Sequence, residues 1–217
     1  MNNAVLIQHA YDGEFQPMME LTKERHAAYC ERFGFDFWHE IHNKSRPMET
    51  GGWAKIELMQ KALSKGYEYI VWLDADALIY DVEVNLREAI QRNKIGACWH
   101  RIPQLYHWNA GVLYLHNSVP VQNVIDNWWA SYPPPKDGWF EQGVFNRIGK
   151  ENNTIVTISD RWNATIDVNM VPDAVVLGFH GQSDAKGRYE MMLNVMNKIS
   201  TKEAETTQDE REVINGC

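Results

Sequence analysis

Hydrophobic positions change their spacing along the chain, and each spacing predicts a different element. Ile70 to Leu73 is apolar at every position, which indicates a strand covered on both faces and is typical of parallel sheets. Ala54 to Lys65 has apolar residues at helical spacing, and Gly66 follows as a helix stop. The pattern therefore predicts strands and helices that alternate.

The same criteria predict further elements along the whole chain. Strands are expected at 4–9, 35–41, 70–73, 95–100, 111–116, 154–159 and 175–179, and helices at 17–33, 54–65, 85–92, 118–132, 139–148 and 187–199. Such alternation is typical of an α/β fold, in which helices flank a mostly parallel central sheet.

We expect one domain over residues 1–199. Apolar residues nearly vanish after Ser200. Residues 200–217 are therefore predicted to be a polar tail or linker that is disordered or leads to a further domain after residue 217.

Charge and composition narrow the possible partners. The 21 Lys and Arg against 29 Asp and Glu give a net charge of −8, and no basic run is present, so we expect no nucleic-acid partner. No stretch is long and apolar enough to predict a membrane span. The cysteines Cys30, Cys98 and Cys217 are far apart and odd in number, which favours a reducing compartment. We expect a cytoplasmic protein of bacterial or viral type.

Two carboxylates end the central apolar run, in the sequence Trp72-Leu73-Asp74-Ala75-Asp76. Ligands of α/β sheets collect at the carboxyl ends of the strands, and paired carboxylates suit Mg²⁺ or Mn²⁺. The alternative is that one aspartate caps a turn and the other is solvated. The short Asp-x-Asp pattern alone does not decide between these interpretations.

Three further segments carry polar side chains at predicted strand or helix ends. They are Trp108-Asn109-Ala110-Gly111, Glu141-Gln142-Gly143 and Phe179-His180-Gly181, and Lys186 follows the last of them. Each has a structural explanation when taken alone: a turn, a solvated helix surface and a hydrogen-bonded histidine, respectively.

Taken together and in this order, these motifs resemble those of GT-A fold glycosyltransferases, which transfer a sugar from a nucleotide diphosphate. The chain is most similar to the retaining group that includes lipopolysaccharide galactosyltransferases, glycogenin, and fungal and plant α-galactosyl- and xylosyltransferases. The resemblance covers about residues 4 to 190. It implies transfer of a hexose or deoxyhexose from a UDP-sugar to a hydroxyl of an oligosaccharide or glycoconjugate acceptor, with retention.

The resemblance also implies roles for individual residues. Asp74, Asp76 and His180 would bind Mn²⁺ or Mg²⁺, and Lys186 would contact the phosphates of the donor. The other residues expected to face the donor are Gln8, Ala10 and Tyr11 at the base and ribose, Asp74 near the ribose, Lys55 at the nucleotide, and Asn109 at the sugar.

The catalytic residues are less sharply defined. Gln142 falls where the retaining relatives have a glutamine near the anomeric carbon, and an amide is a poor nucleophile, which favours a front-face reaction. Glu141 stands where relatives usually have Asp; it would hydrogen-bond the donor sugar or act as the nucleophile of a double displacement. Asp137 is a second carboxylate candidate at the sugar. Trp108, Trp139 and Trp162 would either form an acceptor rim or pack in the core.

Two other functions fit the same pattern. A sugar-nucleotide nucleotidyltransferase shares the architecture but usually has a basic, Gly-rich loop after the first strand, whereas residues 10–15 contain no Lys or Arg. A carbohydrate-binding protein without turnover would keep the fold and lose the chemistry. The retained aspartates, histidine and glutamine argue against that loss.

Overall fold

A computed structural model gives the fold of the chain. It describes residues 2–10, 13–41, 48–102, 105–133, 140–166, 168–180 and 184–215. The strands are β1 (Ala4–Ala10), β2 (Phe35–Ile41), β3 (Tyr69–Asp74), β4 (Ala77–Ile79), β5 (Ile95–Ile102), β6 (Leu105–Trp108), β7 (Val112–His116), β8 (Ile155–Ile158), β9 (Ala164–Thr165) and β10 (Val176–Gly178). The helices are α1 (Gln16–Phe33), α2 (Met48–Ser64), α3 (Val119–Ala130), α4 (Phe140–Glu151) and α5 (Ala185–Asn215).

The main sheet has seven strands in the order β2-β1-β3-β7-β5-β6, with β8 paired to β5. The strands β1, β2 and β3 are parallel, and β5 and β8 run in the same direction as these three. Only β7 and β6 are reversed, and β7 lies between β3 and β5. The predicted α/β fold with a mostly parallel sheet is therefore confirmed, although the reversed β7 makes its central ladders antiparallel.

Both faces of the central strands are buried, as their continuous apolar sequence predicted. Ile70 and Trp72 of β3 belong to a core shared with α2, α3 and α4, whereas Val71 and Leu73 point to the opposite face, where they join the core that contains Tyr29 of α1. This alternation follows from the two-residue period of a strand. The carboxyl end of β3 is thus held rigidly from both sides.

A separate three-stranded sheet, β4-β10-β9, lies next to the main one. Its strand β4 follows β3 after only two residues, so the Asp74–Asp76 turn connects the two sheets. Met192 of α5 packs in the apolar cluster that includes Leu78 of β4 and Phe179. The short strands β4, β6 and β9 were not predicted from the sequence.

The last helix is longer than predicted. Helix α5 continues to Asn215, whereas the sequence predicted a helix end at residue 199, followed by a polar tail or linker. The residues after Ser200 include four Glu, with one Ala, one Arg, one Gln and one Lys, all of which favour helical structure. No helix in the described ranges has the length and hydrophobicity to span a membrane.

Candidate active site

A cavity of about 220 Å³ lies at the carboxyl ends of β1 and β3, where ligands of α/β sheets are expected. Ala10 ends β1, and Asp74 ends β3. The cavity is lined by His9, Ala10, Phe15, Gly52, Lys55, Trp72, Asp74, Ala75, Asp76, Phe140, Glu141, His180 and Arg188. Residues of the main sheet, of the segments that flank the small sheet and of three helices therefore meet here.

The turn that carries the two aspartates is fixed from below by Gln8. The side-chain amide of this buried residue donates to the carbonyl oxygens of Asp74 (3.4 Å) and Ala77 (3.3 Å). Its own oxygen lies 3.0 Å from Nδ1 of His26 and 3.4 Å from the Thr22 hydroxyl. Gln8 was predicted to face the nucleotide; the structure places its side chain beneath the turn.

One side of the cavity, which we call the anionic wall, consists of Lys55, Asp74 and Glu141. Nζ of Lys55 lies 3.0 Å from Oδ1 of Asp74 and 3.4 Å from Oε1 of Glu141, and it donates to the carbonyl of Ala110 at 2.8 Å. The Lys55 side chain is only 5% exposed, against 35% for Asp74 and 17% for Glu141. The wall thus presents carboxylates to the cavity and keeps the ammonium behind them.

The charges of the anionic wall depend on one another. Burial alone lowers the pKa of Lys55, but the carboxylates of Asp74 and Glu141 outweigh it and leave this pKa raised. Burial raises the pKa of Asp74, an effect that the Lys55 ammonium opposes and the Asp76 carboxylate reinforces. Two glycines make room for these side chains: a Cβ on Gly52 would overlap the Glu141 carboxylate, and one on Gly111 would lie 3.1 Å from Oδ2 of Asp74.

The opposite side, which we call the cationic wall, consists of Asp76 and Arg188. NH1 of Arg188 donates to Oδ2 of Asp76 at 2.9 Å. Here the exposures are reversed, because the Asp76 side chain is 6% exposed and the Arg188 side chain 23%. Arg188 was not predicted from the sequence.

His180 lies between the small sheet and the cavity. Its Nε2 is 2.9 Å from the Asn109 amide nitrogen and 3.2 Å from the Thr165 hydroxyl, and its ring stacks on His100 with centroids 4.9 Å apart. Burial, with added repulsion from Arg188, His107 and Lys55, lowers its pKa to about 3. The imidazole is therefore neutral, the form that binds metals.

The three predicted metal ligands share one cavity but are not arranged around a single point. Asp74, Asp76 and His180 line the same cavity, and two carboxylates with a neutral imidazole suit Mn²⁺ or Mg²⁺ in ligand type. Among the residues that the structure describes, no three His, Cys, Asp or Glu side chains are placed to hold one ion in this conformation. The donor set fits a divalent cation, and binding would require Asp76 to exchange the guanidinium for it.

Two other predicted donor-binding residues, Asn109 and Lys186, do not line the cavity. Asn109 is buried and holds His180 through its amide nitrogen, while its oxygen accepts from the backbone N–H of Gly111 at 2.8 Å. The Lys186 side chain is 83% exposed, and its Nζ lies 3.9 Å from Oε1 of Glu190.

The structure separates the two adjacent residues Glu141 and Gln142. Glu141 lines the cavity, whereas Oε1 of Gln142 accepts the backbone N–H of Ala110 at 3.0 Å. Consecutive positions on a helix point about 100° apart, which explains why only one of them reaches the cavity. The predicted residues Tyr11, Asp137 and Trp139 lie outside the described residues.

The other tryptophans proposed for an acceptor rim are integrated in the fold. Trp162 is 7% exposed. Trp108 is half-buried; it packs edge-on against Trp99 and donates through Nε1 to Thr157.

Comparison with known proteins agrees with this architecture. Residues 5–97, which include Lys55 and both aspartates, match the model of the galactosyl transferase GMA12/MNN10 family. No curated protein sequence is significantly similar to the chain.

Several solved glycosyltransferases have a similar structure. A glycosyltransferase involved in the glycosylation of the major capsid of PBCV-1 has a TM-score of 0.66 and 20% identity over 87% of this chain and 98% of its own. The apo form of GlyE from Streptococcus pneumoniae TIGR4 gives 0.51 and 15% over 93% of this chain and 64% of its own. The bifunctional glycosyltransferase WbbM gives 0.58 and 9% over 90% of this chain and 50% of its own.

At these identities the structural likeness shows a shared fold, which is that of GT-A glycosyltransferases. The predicted resemblance to GT-A fold glycosyltransferases is therefore confirmed at the level of the fold, and the family model and fold together support a glycosyltransferase.

Proposed function

We propose that this protein is a metal-dependent glycosyltransferase. It transfers a hexose or deoxyhexose from a UDP-sugar to a hydroxyl of an oligosaccharide or glycoconjugate acceptor, with retention of configuration. The observation that carries the proposal is the cavity at the carboxyl ends of β1 and β3, which Asp74, Asp76, Glu141 and His180 all line. The family match over the aspartates supports it.

Asp74, Asp76 and His180 would hold Mn²⁺ or Mg²⁺. When bound, the cation supplies Lewis-acid stabilisation of the diphosphate leaving group. The remaining task of the protein is to orient the donor sugar, and Glu141 is the described carboxylate placed for it, because Lys55 holds it at the cavity wall at 3.4 Å. Gln142 would act indirectly, by holding the backbone at Ala110.

A front-face reaction suits this arrangement. The acceptor oxygen bonds to the anomeric carbon as the sugar–phosphate bond breaks, and the leaving phosphate oxygen takes the acceptor proton. Glu141 then hydrogen-bonds the sugar and does not form a bond to carbon. Turnover by Glu141→Gln near the wild-type value would exclude Glu141 as a nucleophile, whereas complete loss with unchanged donor affinity would favour the double displacement.

Calorimetry tests the donor and metal assignments. UDP, GDP and CMP are titrated into wild type and Asp76→Asn, with and without Mn²⁺. We expect UDP to bind wild type only with Mn²⁺, and the variant to lose this binding while its melting temperature stays close to that of wild type. Failure of every nucleotide to bind in the presence of metal would contradict the proposal. NMR of the anomer released from a panel of UDP-sugars then tests sugar identity and retention.

A further inference from the structure

Arg188 reaches the cavity because of where α5 begins. Asp184 precedes the helix, and its Oδ1 accepts the backbone N–H of Gly187 at 2.9 Å, as an N-cap does. With this start, Arg188 points to the cavity, where NH1 lies 2.9 Å from Asp76. Lys186 is two positions earlier, about 200° around the helix, and therefore faces solvent. The side-chain exposures agree, at 23% for Arg188 and 83% for Lys186.

The cationic wall presents the positive member of its ion pair to the cavity. Asp76 is almost completely covered, and the guanidinium that pairs with it is the more exposed partner. The anionic wall across the cavity has the reverse arrangement, with Lys55 covered and the carboxylates exposed. A bound molecule that carries both phosphates and hydroxyls would place its phosphates at Arg188 and its hydroxyls at the carboxylates.

We propose that Arg188, and not Lys186, binds the diphosphate of the nucleotide-sugar donor. This inference rests on the proposed function and names the residue that would contact the phosphates of the donor. A guanidinium has five N–H donors in a planar fork, so once Asp76 turns to the cation, Arg188 can hold two phosphate oxygens in its place. The Asp76 contact orients the fork at the cavity wall before the donor arrives, which lowers the entropy lost on binding.

The experiment compares how two positions of α5 affect phosphate recognition. UDP, UMP and uridine are titrated with Mn²⁺ into wild type, Arg188→Gln, Lys186→Gln and Lys198→Gln. Lys198 is exposed on the same helix and does not line the cavity, so its variant controls for the loss of one positive charge. We expect Arg188→Gln to weaken UDP binding about tenfold to a hundredfold, as for a lost charge-assisted hydrogen bond, and uridine binding by less than twofold.

Other results separate this inference from the proposed function. UDP binding by Arg188→Gln as tight as by wild type, or a loss confined to Lys186→Gln, would overturn the inference and leave the proposed function intact. An equal loss for UDP and uridine would reduce Arg188 to a structural role. If wild type binds none of UDP, UMP and uridine, both proposals are contradicted.

A second variant covers the case in which Arg188→Gln does not fold because Asp76 is left buried and unpaired. Arg188→Lys keeps a positive charge beside Asp76 but replaces the planar fork with a single ammonium. We expect it to melt near wild type and, with Mn²⁺, to bind UDP more weakly than wild type does, with its uridine affinity unchanged. UDP affinity equal to that of wild type would overturn the inference that the guanidinium fork holds the phosphates.

Discussion

The two walls of the cavity hold aspartates that are two residues apart, yet they are built differently. Asp74 pairs with Lys55, which is more deeply buried than its carboxylate partners. Asp76 pairs with Arg188, which is less buried than its partner. The anionic wall joins the end of β3 to α2 and α4, which pack on one face of the main sheet. The cationic wall joins the turn after β3 to the first turn of α5.

The difference shows how one motif supports two kinds of chemistry. The Lys55 ammonium is the most buried group of the anionic wall, and it fixes the positions of Asp74 and Glu141 and neutralises part of their charge. A partly exposed guanidinium can exchange its partner, so Arg188 is suited to bind an anionic ligand. We therefore expect substitutions in the anionic wall to affect stability most, and substitutions in the cationic wall to affect binding most.

The largest effect on stability is expected from Lys55→Met. It keeps the volume but leaves Asp74 and Glu141 without the ammonium that both contact. Removal of one partner of a buried ion pair costs about 3–5 kcal/mol, and the partial exposure of Asp74 favours the lower value. Urea unfolding should report a loss of about 3 kcal/mol in the free energy of unfolding.

Two companion variants show whether that loss arises from the charges. Lys198→Met, at an exposed position, should change the free energy of unfolding by less than about 0.5 kcal/mol. Lys55→Met/Glu141→Gln, with one carboxylate neutralised, should recover part of the loss. A Lys55→Met protein as stable as wild type would show that Lys55 does not hold the wall.

Gly178→Ala tests the position of His180 beside the cationic wall. A Cβ on Gly178 would lie 2.7 Å from Oδ1 of Asn163 and 2.8–2.9 Å from Cε1 and Nδ1 of His180, so both side chains must move. We expect a loss of about 1–3 kcal/mol in unfolding free energy from overpacking, together with weaker Mn²⁺-dependent UDP binding by calorimetry. Gly13→Ala is the matched control, because a Cβ there meets nothing within 4 Å. Unchanged Mn²⁺-dependent binding in Gly178→Ala would separate His180 from the metal.

The smallest effect concerns His26, which supports Gln8 beneath both walls. Burial, with smaller contributions from Arg25 and His39, lowers its pKa from 6.5 to about 3. Between these values the unfolded chain binds one more proton at this site than the folded protein does. Stability therefore falls as the pH falls below 6.5, by about 1.4 kcal/mol per pH unit from this residue.

His26→Gln should remove that contribution from the pH dependence. Urea unfolding at pH 7 and pH 5 measures the slope for wild type and for the variant. The residual slope in the variant should include the buried His100 and His180, whose pKa values are also lowered to about 3. An identical slope in the two proteins would show that His26 takes up a proton in the folded state.

Local patterns in the sequence were sufficient to predict most of the fold. Rules that act within a few residues predicted several elements. Examples are the continuous apolar run of β3, Pro17 near the start of α1, and Gly34 after the end of α1, where φ is 66°. The Asp pair at the end of β3 was predicted to reach the ligand edge of the sheet, and it lies there.

What the sequence by itself determined was the set of elements and which chemistry ends each strand, because periodicity and capping are local. Only the tertiary structure decided which side chains share the cavity. It placed Glu141 on the cavity wall and Gln142 on Ala110, and Arg188 on Asp76 with Lys186 in solvent. Glu141 and Gln142 lie at different angles around α4, as do Lys186 and Arg188 around α5. Packing against distant parts of the chain sets the rotation of each helix about its axis and so decides which of the two residues faces the cavity.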